Sequence, residues 1–164
     1  MKPYVLLGLI GLLAFGGPAS ARTLEVPSPN YPTIQAAIDD ANENDGDDVR
    51  IAPGTYWGFG NYNLDFRGKS ITVRSSAPND PNVVASTIID CKGLGRGVVF
   101  QTGEDANSVL WGLTIANGAA VDFGGAIECY NASPTIRHCI IRDSSAPDGG
   151  AGHRLLGRLN ILTK

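Results

Sequence analysis

Apolar residues fall at Ile34, Ala37, Ile38 and Ala41, the i, i+3, i+4, i+7 spacing of a helix with one greasy face. Thr33 after Pro32 supplies an N-cap, and Gly46 follows soon after the apolar positions stop, so the spacing predicts one short helix. Beyond it the pattern changes. Short aliphatic runs at residues 49–52, 71–73, 87–89, 98–100, 109–115, 126–129 and 135–141 are separated by Asn, Gly, Asp, Ser and Pro. These read as strands joined by turns, and the lack of alternating helices excludes a doubly wound fold.

The runs repeat. Leu110, Leu113, Ile115 and Asn117 recur 26 positions later as Ile136, Cys139, Ile141 and Asp143, and Gly124-Gly125-Ala126 recurs 25 positions later as Gly149-Gly150-Ala151. A period in the twenties with apolar positions in register predicts coils that lay each strand on the one before, with Leu113 over Cys139 and Ile115 over Ile141. A β-sandwich with coincidental spacing is the competing arrangement.

The first residues set a compartment. Lys2, the apolar run at residues 4–15 and Ala19-Ser20-Ala21 make the charge, core and small-x-small site of an export signal, which predicts a mature start at Arg22. The run is shorter than the roughly 20 residues that span a bilayer, and no second one follows, so no membrane span is expected once the signal is removed. No cysteine follows the run to carry a lipid. The expected location is therefore secreted or cell-surface.

Composition adds turns and removes partners. With 21 Gly and 10 Pro the chain is turn-rich, and 13 basic against 16 acidic residues with no basic cluster argues against nucleic acid as a partner. Cys91, Cys129 and Cys139 lie beside aliphatic residues at strand-like spacing and read as buried small hydrophobes. A Cys129–Cys139 bridge is left open, and no spacing resembles a zinc ligand pair. The acidic stretch 42–48 fails as an EF-hand: counted from Asp40, Asp45 stands at the glycine position and Ile51 at the glutamate position. It reads as a solvated helix end, and neither metal nor cofactor is expected.

Several motifs together resemble a family. Thr33-Ile34-Gln35-Ala36-Ala37-Ile38 followed by Ile51-Ala52-Pro53-Gly54-Thr55-Tyr56 resembles the N-terminal cap and first coil of pectate-lyase-like right-handed β-helix proteins. Asp65-Phe66-Arg67-Gly68-Lys69-Ser70-Ile71-Thr72-Val73, Thr87-Ile88-Ile89-Asp90-Cys91, Gly112-Leu113-Thr114-Ile115-Ala116-Asn117-Gly118 and Gly124-Gly125-Ala126-Ile127-Glu128-Cys129 continue the likeness. It is similar in particular to large exported β-helix proteins of environmental bacteria, and the glycine-rich repeat is also similar to polymorphic outer-membrane repeats. The resemblance implies an all-β fold: a right-handed parallel β-helix of about four coils with an amphipathic capping helix at its N-terminal end. Residues 1–21 would be signal, 22–48 cap, 49–151 coils and 152–164 a tail outside the pattern. Pro53-Gly54-Thr55-Tyr56 is expected to turn the chain out of the first strand, and Asn117 and Asn131 to take left-handed corners.

Enzymes of that superfamily use clustered carboxylates on one strand face. The strands expected to form that face, 98–100 and 126–129, offer Glu128 alone, and glycoside hydrolysis needs two carboxyl groups at a set separation. Asp122, Asp143 and Asp148 sit in turn-rich segments. His138, between Arg137 and Cys139, is expected to face solvent at an alternating position, and neither it nor His153 has a nucleophile at a recognisable spacing. Gly93-Leu94-Gly95-Arg96-Gly97 lacks the Lys-Ser/Thr ending of a phosphate loop. The reading is a noncatalytic exported domain that binds extracellular polysaccharide through exposed Glu128, Tyr130 and Arg137. Its alternatives are a remnant of a lyase or hydrolase whose catalytic coils are missing, and an adhesin-like stalk.

The tail abandons the pattern from Gly152 to Lys164. Read one nucleotide later, codons for its start can spell Gly-Ile-Val-Tyr-Trp-Gly-Gly, a strand that fits, so a frameshift and a longer native protein are expected. An uncapped last coil would favour self-association.

Overall fold

The computed structural model of the chain describes residues 20–43 and 46–147 in full and, beyond them, the backbone of residues 153–156 and 160–162. Residues 1–19, where the export signal is expected, and the Gly149-Gly150-Ala151 half of one repeat lie outside the described residues. Among the described residues the elements are mostly strands, in three parallel sheets, with two short helices. The first sheet runs in the order β1 (Thr23–Val26), β2 (Asp48–Ile51), β5 (Thr72–Ser75), β8 (Val109–Trp111), β11 (Thr135–Arg137) and β14 (Asn160–Leu162). The second is β3 (Gly54–Tyr56), β6 (Thr87–Asp90), β9 (Thr114–Ala116) and β12 (Ile140–Arg142). The third is β4 (Leu64–Asp65), β7 (Val98–Phe100), β10 (Ile127–Tyr130) and β13 (His153–Leu156).

The chain thus visits the three sheets in turn, and each circuit lays one strand beside its predecessor. Register converts the repeat into buried columns. Leu24, Val49, Val73, Leu110 and Ile136 follow one another down the first sheet. Tyr56, Ile89, Ile115 and Ile141 do so in the second, as the spacing of Ile115 and Ile141 predicted. Leu64, Val98 and Ile127 form the third column, beside stacked Phe66 and Phe100 with ring centroids 4.7 Å apart. All except Ile141 are buried, and each full burial of an aliphatic chain contributes about 1.5–3 kcal/mol. Ile140 and Ile141 stay substantially exposed on β12, the last strand of its sheet.

The predicted helix is α1 (Ile34–Asp40), with the Thr33 hydroxyl accepting from the Ala36 N–H. Its apolar face, Ile34, Ala37 and Ile38, is fully buried at the N-terminal end of the core. Lys69 caps the C-terminal end of α1, its ammonium donating to the carbonyls of Ile38, Asp39 and Ala41 at 2.7–2.9 Å. A second helix, α2 (Pro81–Ser86), fills the connection between β5 and β6, with Asp80 as N-cap. Its six residues are too few for periodicity to mark.

Three local expectations need correction. Residues 109–115 and 135–141 are not single strands: each divides where one left-handed residue, Gly112 (φ 66°) or His138 (φ 52°), turns the chain from the first sheet to the second. His138 therefore occupies a corner and not an alternating strand position. Gly54–Tyr56 is already strand β3, so the turn lies before it. The tail, for its part, takes strand backbone in which Ile127 pairs with His153 and Thr135 with Asn160. Asn117 and Asn131 do adopt left-handed corners, at φ 54° and 50°.

Gly112 combines positive φ with a crowded site, since a Cβ there would lie 2.4 Å from Pro78 Cβ, whereas Gly103 (φ 80°) faces open space. Gly103→Ala should cost about 1–2 kcal/mol from backbone strain. Gly112→Ala should cost at least about 1–3 kcal/mol more from overpacking. Urea denaturation of the two variants checks the order, and equal losses would contradict it.

Candidate functional site

The outer face of the first sheet gathers residues that are far apart in sequence. Glu25, Arg50, Arg74, Trp111 and Arg137 occupy one row, one from each successive strand. Neighbouring strands lie about 4.8 Å apart, so long side chains in such a row reach one another. Arg50 pairs with Glu25, and Arg74 with Asp48 at 2.5 Å. Arg137 differs. Its guanidinium carbon lies 3.6 Å from the centre of the Trp111 ring, and among the described residues no carboxylate pairs with it. Its Nε is buried without a hydrogen-bond partner. Trp111 Nε1 donates to His138 Nδ1 at 3.4 Å, which orients the edge of the indole ring.

The groups gathered here have the chemistry of recognition. A guanidinium fork matches carboxylate or sulfate groups, and an indole face packs against the apolar face of a ring. The Trp111–Arg137–His138 cluster contains neither a nucleophile nor a carboxyl pair.

The other two predicted site residues lie on a different sheet. Glu128 and Tyr130 share the outer face of β10. Glu128 is not an exposed group: its side chain is 16% accessible and is held by Arg96 Nε at 3.2 Å. Arg96 also pairs with Asp122 and donates to the Phe123 carbonyl, so Glu128 braces the loop before β10. Tyr130 is half exposed. The structure therefore does not bring Glu128, Tyr130 and Arg137 to one site. The Trp111 contribution escaped sequence reading because it needs the strand register, although the 26-residue offset from Trp111 to Arg137 carries that register.

A second feature is the corner formed by residues 57–63, 91–97 and 117–126. Asn63 N–H donates to the Arg96 carbonyl at 2.6 Å and Ala119 N–H to the Gly95 carbonyl at 2.9 Å, which stacks the three loops. They leave Trp57, Phe59, Leu94 and Val121 exposed, Phe59 at 96% and Val121 at 93%. Beside them lies an open groove of about 420 Å³ lined by polar groups including Lys92, Asn117, Asp143 and Ser145.

Buried acids are spent internally. Glu104 accepts from the Gly68 and Thr102 N–H groups at 2.9 Å each, and Asp90 accepts from Asn117 and Lys92. Those contacts hold Asp90 below the usual carboxylate range, Asn117's side chain contributing most. Among the described residues no cluster of His, Cys, Asp or Glu could hold a metal ion, and no helix is long and apolar enough to cross a membrane. No family model, no curated protein and no solved structure matches the chain.

The three cysteines are free thiols, Cys91 and Cys129 fully buried. Burial pushes both up to about 12 and Cys139 up to about 11. The folded state keeps protons that the unfolded chain releases above about 8.5. The thiol contribution to stability is therefore whole below that pH and is lost as pH rises towards the folded values. Iodoacetamide at pH 8 should leave Cys91 and Cys129 unmodified in the native protein and alkylate both in urea, as read by intact mass.

Proposed function

We propose that this chain belongs to an exported right-handed parallel β-helix of the pectate-lyase-like kind, which binds acidic extracellular polysaccharide without cleaving it. The observation that carries the reading is Arg137, stacked on Trp111 and unpaired with any carboxylate among the described residues. The guanidinium would meet the acidic group and the indole the sugar ring, while successive strands extend the face along the polymer axis. The three parallel sheets visited in turn, closed at one end by α1, support the solenoid arrangement. Affinity electrophoresis in gels cast with polygalacturonate tests this. Wild-type protein should be retarded, Arg137→Gln should weaken binding roughly tenfold as expected for one charge-assisted contact, and salt should relieve the retardation. A neutral dextran gel should not retard it. Equal retardation of wild type and Arg137→Gln, or appearance of unsaturated-uronate absorbance, would overturn the reading.

The stalk-like alternative is favoured by the apolar corner of Trp57, Phe59, Leu94 and Val121, which offers a protein-binding ridge. Self-association is supported by the exposure of Ile140 and Ile141 on β12. Sedimentation of recombinant residues 22–164 should show oligomers that Ile140→Lys diminishes; a single monomeric species would count against it.

A further inference from the structure

The buried carboxylate of Asp47 has its partners concentrated on one residue, Arg22. Asp47 is 0% exposed. Its Oδ1 accepts from the Arg22 backbone nitrogen at 2.8 Å, and its Oδ2 accepts from Arg22 Nη2 at 2.7 Å, Arg22 Nε at 3.0 Å and the Asn42 N–H at 2.8 Å. The Arg22 carbonyl in turn accepts from the Asp48 N–H at 2.9 Å, which sets the register at which β1 joins β2. Arg22 also reaches Asp40, with Nη1 3.2 Å from its Oδ2, and the Tyr31 hydroxyl donates to that same oxygen at 2.7 Å.

The charges in this cluster do not balance. Two carboxylates, Asp40 and Asp47, share one guanidinium, and Tyr31 adds a neutral hydroxyl. Among the described residues the hydrogen-bonded cluster therefore holds one positive charge fewer than negative, and the backbone nitrogen of Arg22 already stands against Asp47 where a further charge would be most effective. Arg22 is also the residue that follows the small-x-small site Ala19-Ser20-Ala21. Ser20, Ala21 and Arg22 are exposed, so the bond between Ala21 and Arg22 lies outside the core.

We propose that Asp47 is the receptor for a new amino terminus, the α-ammonium of Arg22 released when a signal peptidase hydrolyses the Ala21–Arg22 bond. Water supplies the hydroxyl that stays on the Ala21 carbonyl carbon and a proton that goes to the departing nitrogen; a further solvent proton makes the ammonium. The peptide N–H offers one donor and no net charge, whereas the ammonium offers three donors and that further charge. Charge-assisted hydrogen bonds are roughly twice as strong as neutral ones. Processing would therefore lock β1 onto the sheet edge, tying export to closure of the N-terminal end. This rests on the export reading, and the test separates the two.

The full chain, expressed for export and recovered outside the cytoplasm, is read by N-terminal sequencing. Acetic anhydride then labels the α-amine across a pH series, with a peptide beginning Arg-Thr-Leu-Glu as reference. The groups facing the amine are Asp47 and Asp40, which favour its charged form, the Arg22 guanidinium, which opposes it, and the Tyr31 hydroxyl. Expected are a chain beginning at Arg22, an α-amine that reacts about tenfold more slowly than the peptide near pH 6.5, equivalent to about one unit of raised pKa, and loss of that protection in Asp47→Asn. A chain beginning elsewhere overturns the cleavage and the capture together. A chain beginning at Arg22 whose amine reacts as fast as the peptide overturns the capture alone. The wild-type pH profile decides even where Asp47→Asn fails to fold.

Discussion

Everything in this molecule depends on hydrogen bonding between strands that are one circuit apart. Parallel pairing makes each residue the neighbour of its equivalent about 4.8 Å away, so a side chain is selected less by its own surroundings than by the column it joins. Inside, this yields Tyr56, Ile89 and Ile115 stacked in one line. Outside, it yields the row from Glu25 through Arg50, Arg74 and Trp111 to Arg137. Like charges in such a row repel unless they find partners, and the partners lie on the same face: Glu25 for Arg50, Asp48 for Arg74 and the indole of Trp111 for Arg137. The ladder that builds the core therefore also builds the candidate binding face.

Corners decide how long each strand can be. A left-handed residue reverses the local course of the backbone at a cost that Gly, Asn, Asp and His bear best. Gly112 and His138, 26 positions apart, serve one corner, and Asn117 and Asp143 serve the next at φ 54° and 53°. The columns stay aligned because equivalent corners fall at equivalent places. Where a circuit needs extra length, as between β5 and β6, the addition is extruded as α2 and does not disturb the strands.

Much of this was legible in the chain. The α1 helix announces itself because a capping Thr33 precedes apolar positions at helical spacing, and the Ile115–Ile141 column because apolar residues keep register across the repeat. The division of 109–115 and 135–141 was hidden, since apolar residues on both sides of Gly112 and His138 read as one run. Strand β4 is two residues long and α2 six, too short for any period to show. The site was least legible. Glu128 looked like an exposed acid because alternation puts it outward, but alternation cannot report that Arg96, from the preceding circuit, covers it. Arg137 was recognisable as outward-facing, whereas its contact with Trp111 exists only once β8 and β11 are side by side.

A hydrolase or lyase needs carboxylates whose free energy is reserved for a substrate, held near one another yet not consumed by the fold. Here the sequestered acids are consumed: Asp47 by Arg22 and Asn42, Asp48 by Arg74, Asp90 by Asn117 and Lys92, Glu104 by two backbone N–H groups and Glu128 by Arg96. Burial alone would push Asp47 up, yet the Arg22 guanidinium and the Asn42 and Arg22 N–H groups hold it below the ordinary carboxylate range. An acid held ionised in this way stabilises the fold above its unfolded pKa and surrenders that stability only as pH falls through its lowered folded value. It accepts a proton reluctantly, which disqualifies it as a general acid at neutral pH. Cations tell the opposite story, for Arg137 keeps a charge that no acid among the described residues neutralises. Among the described residues the sequestered acids are committed to structure and Arg137 is not, and the proposed binding of an anionic polymer rests on that asymmetry.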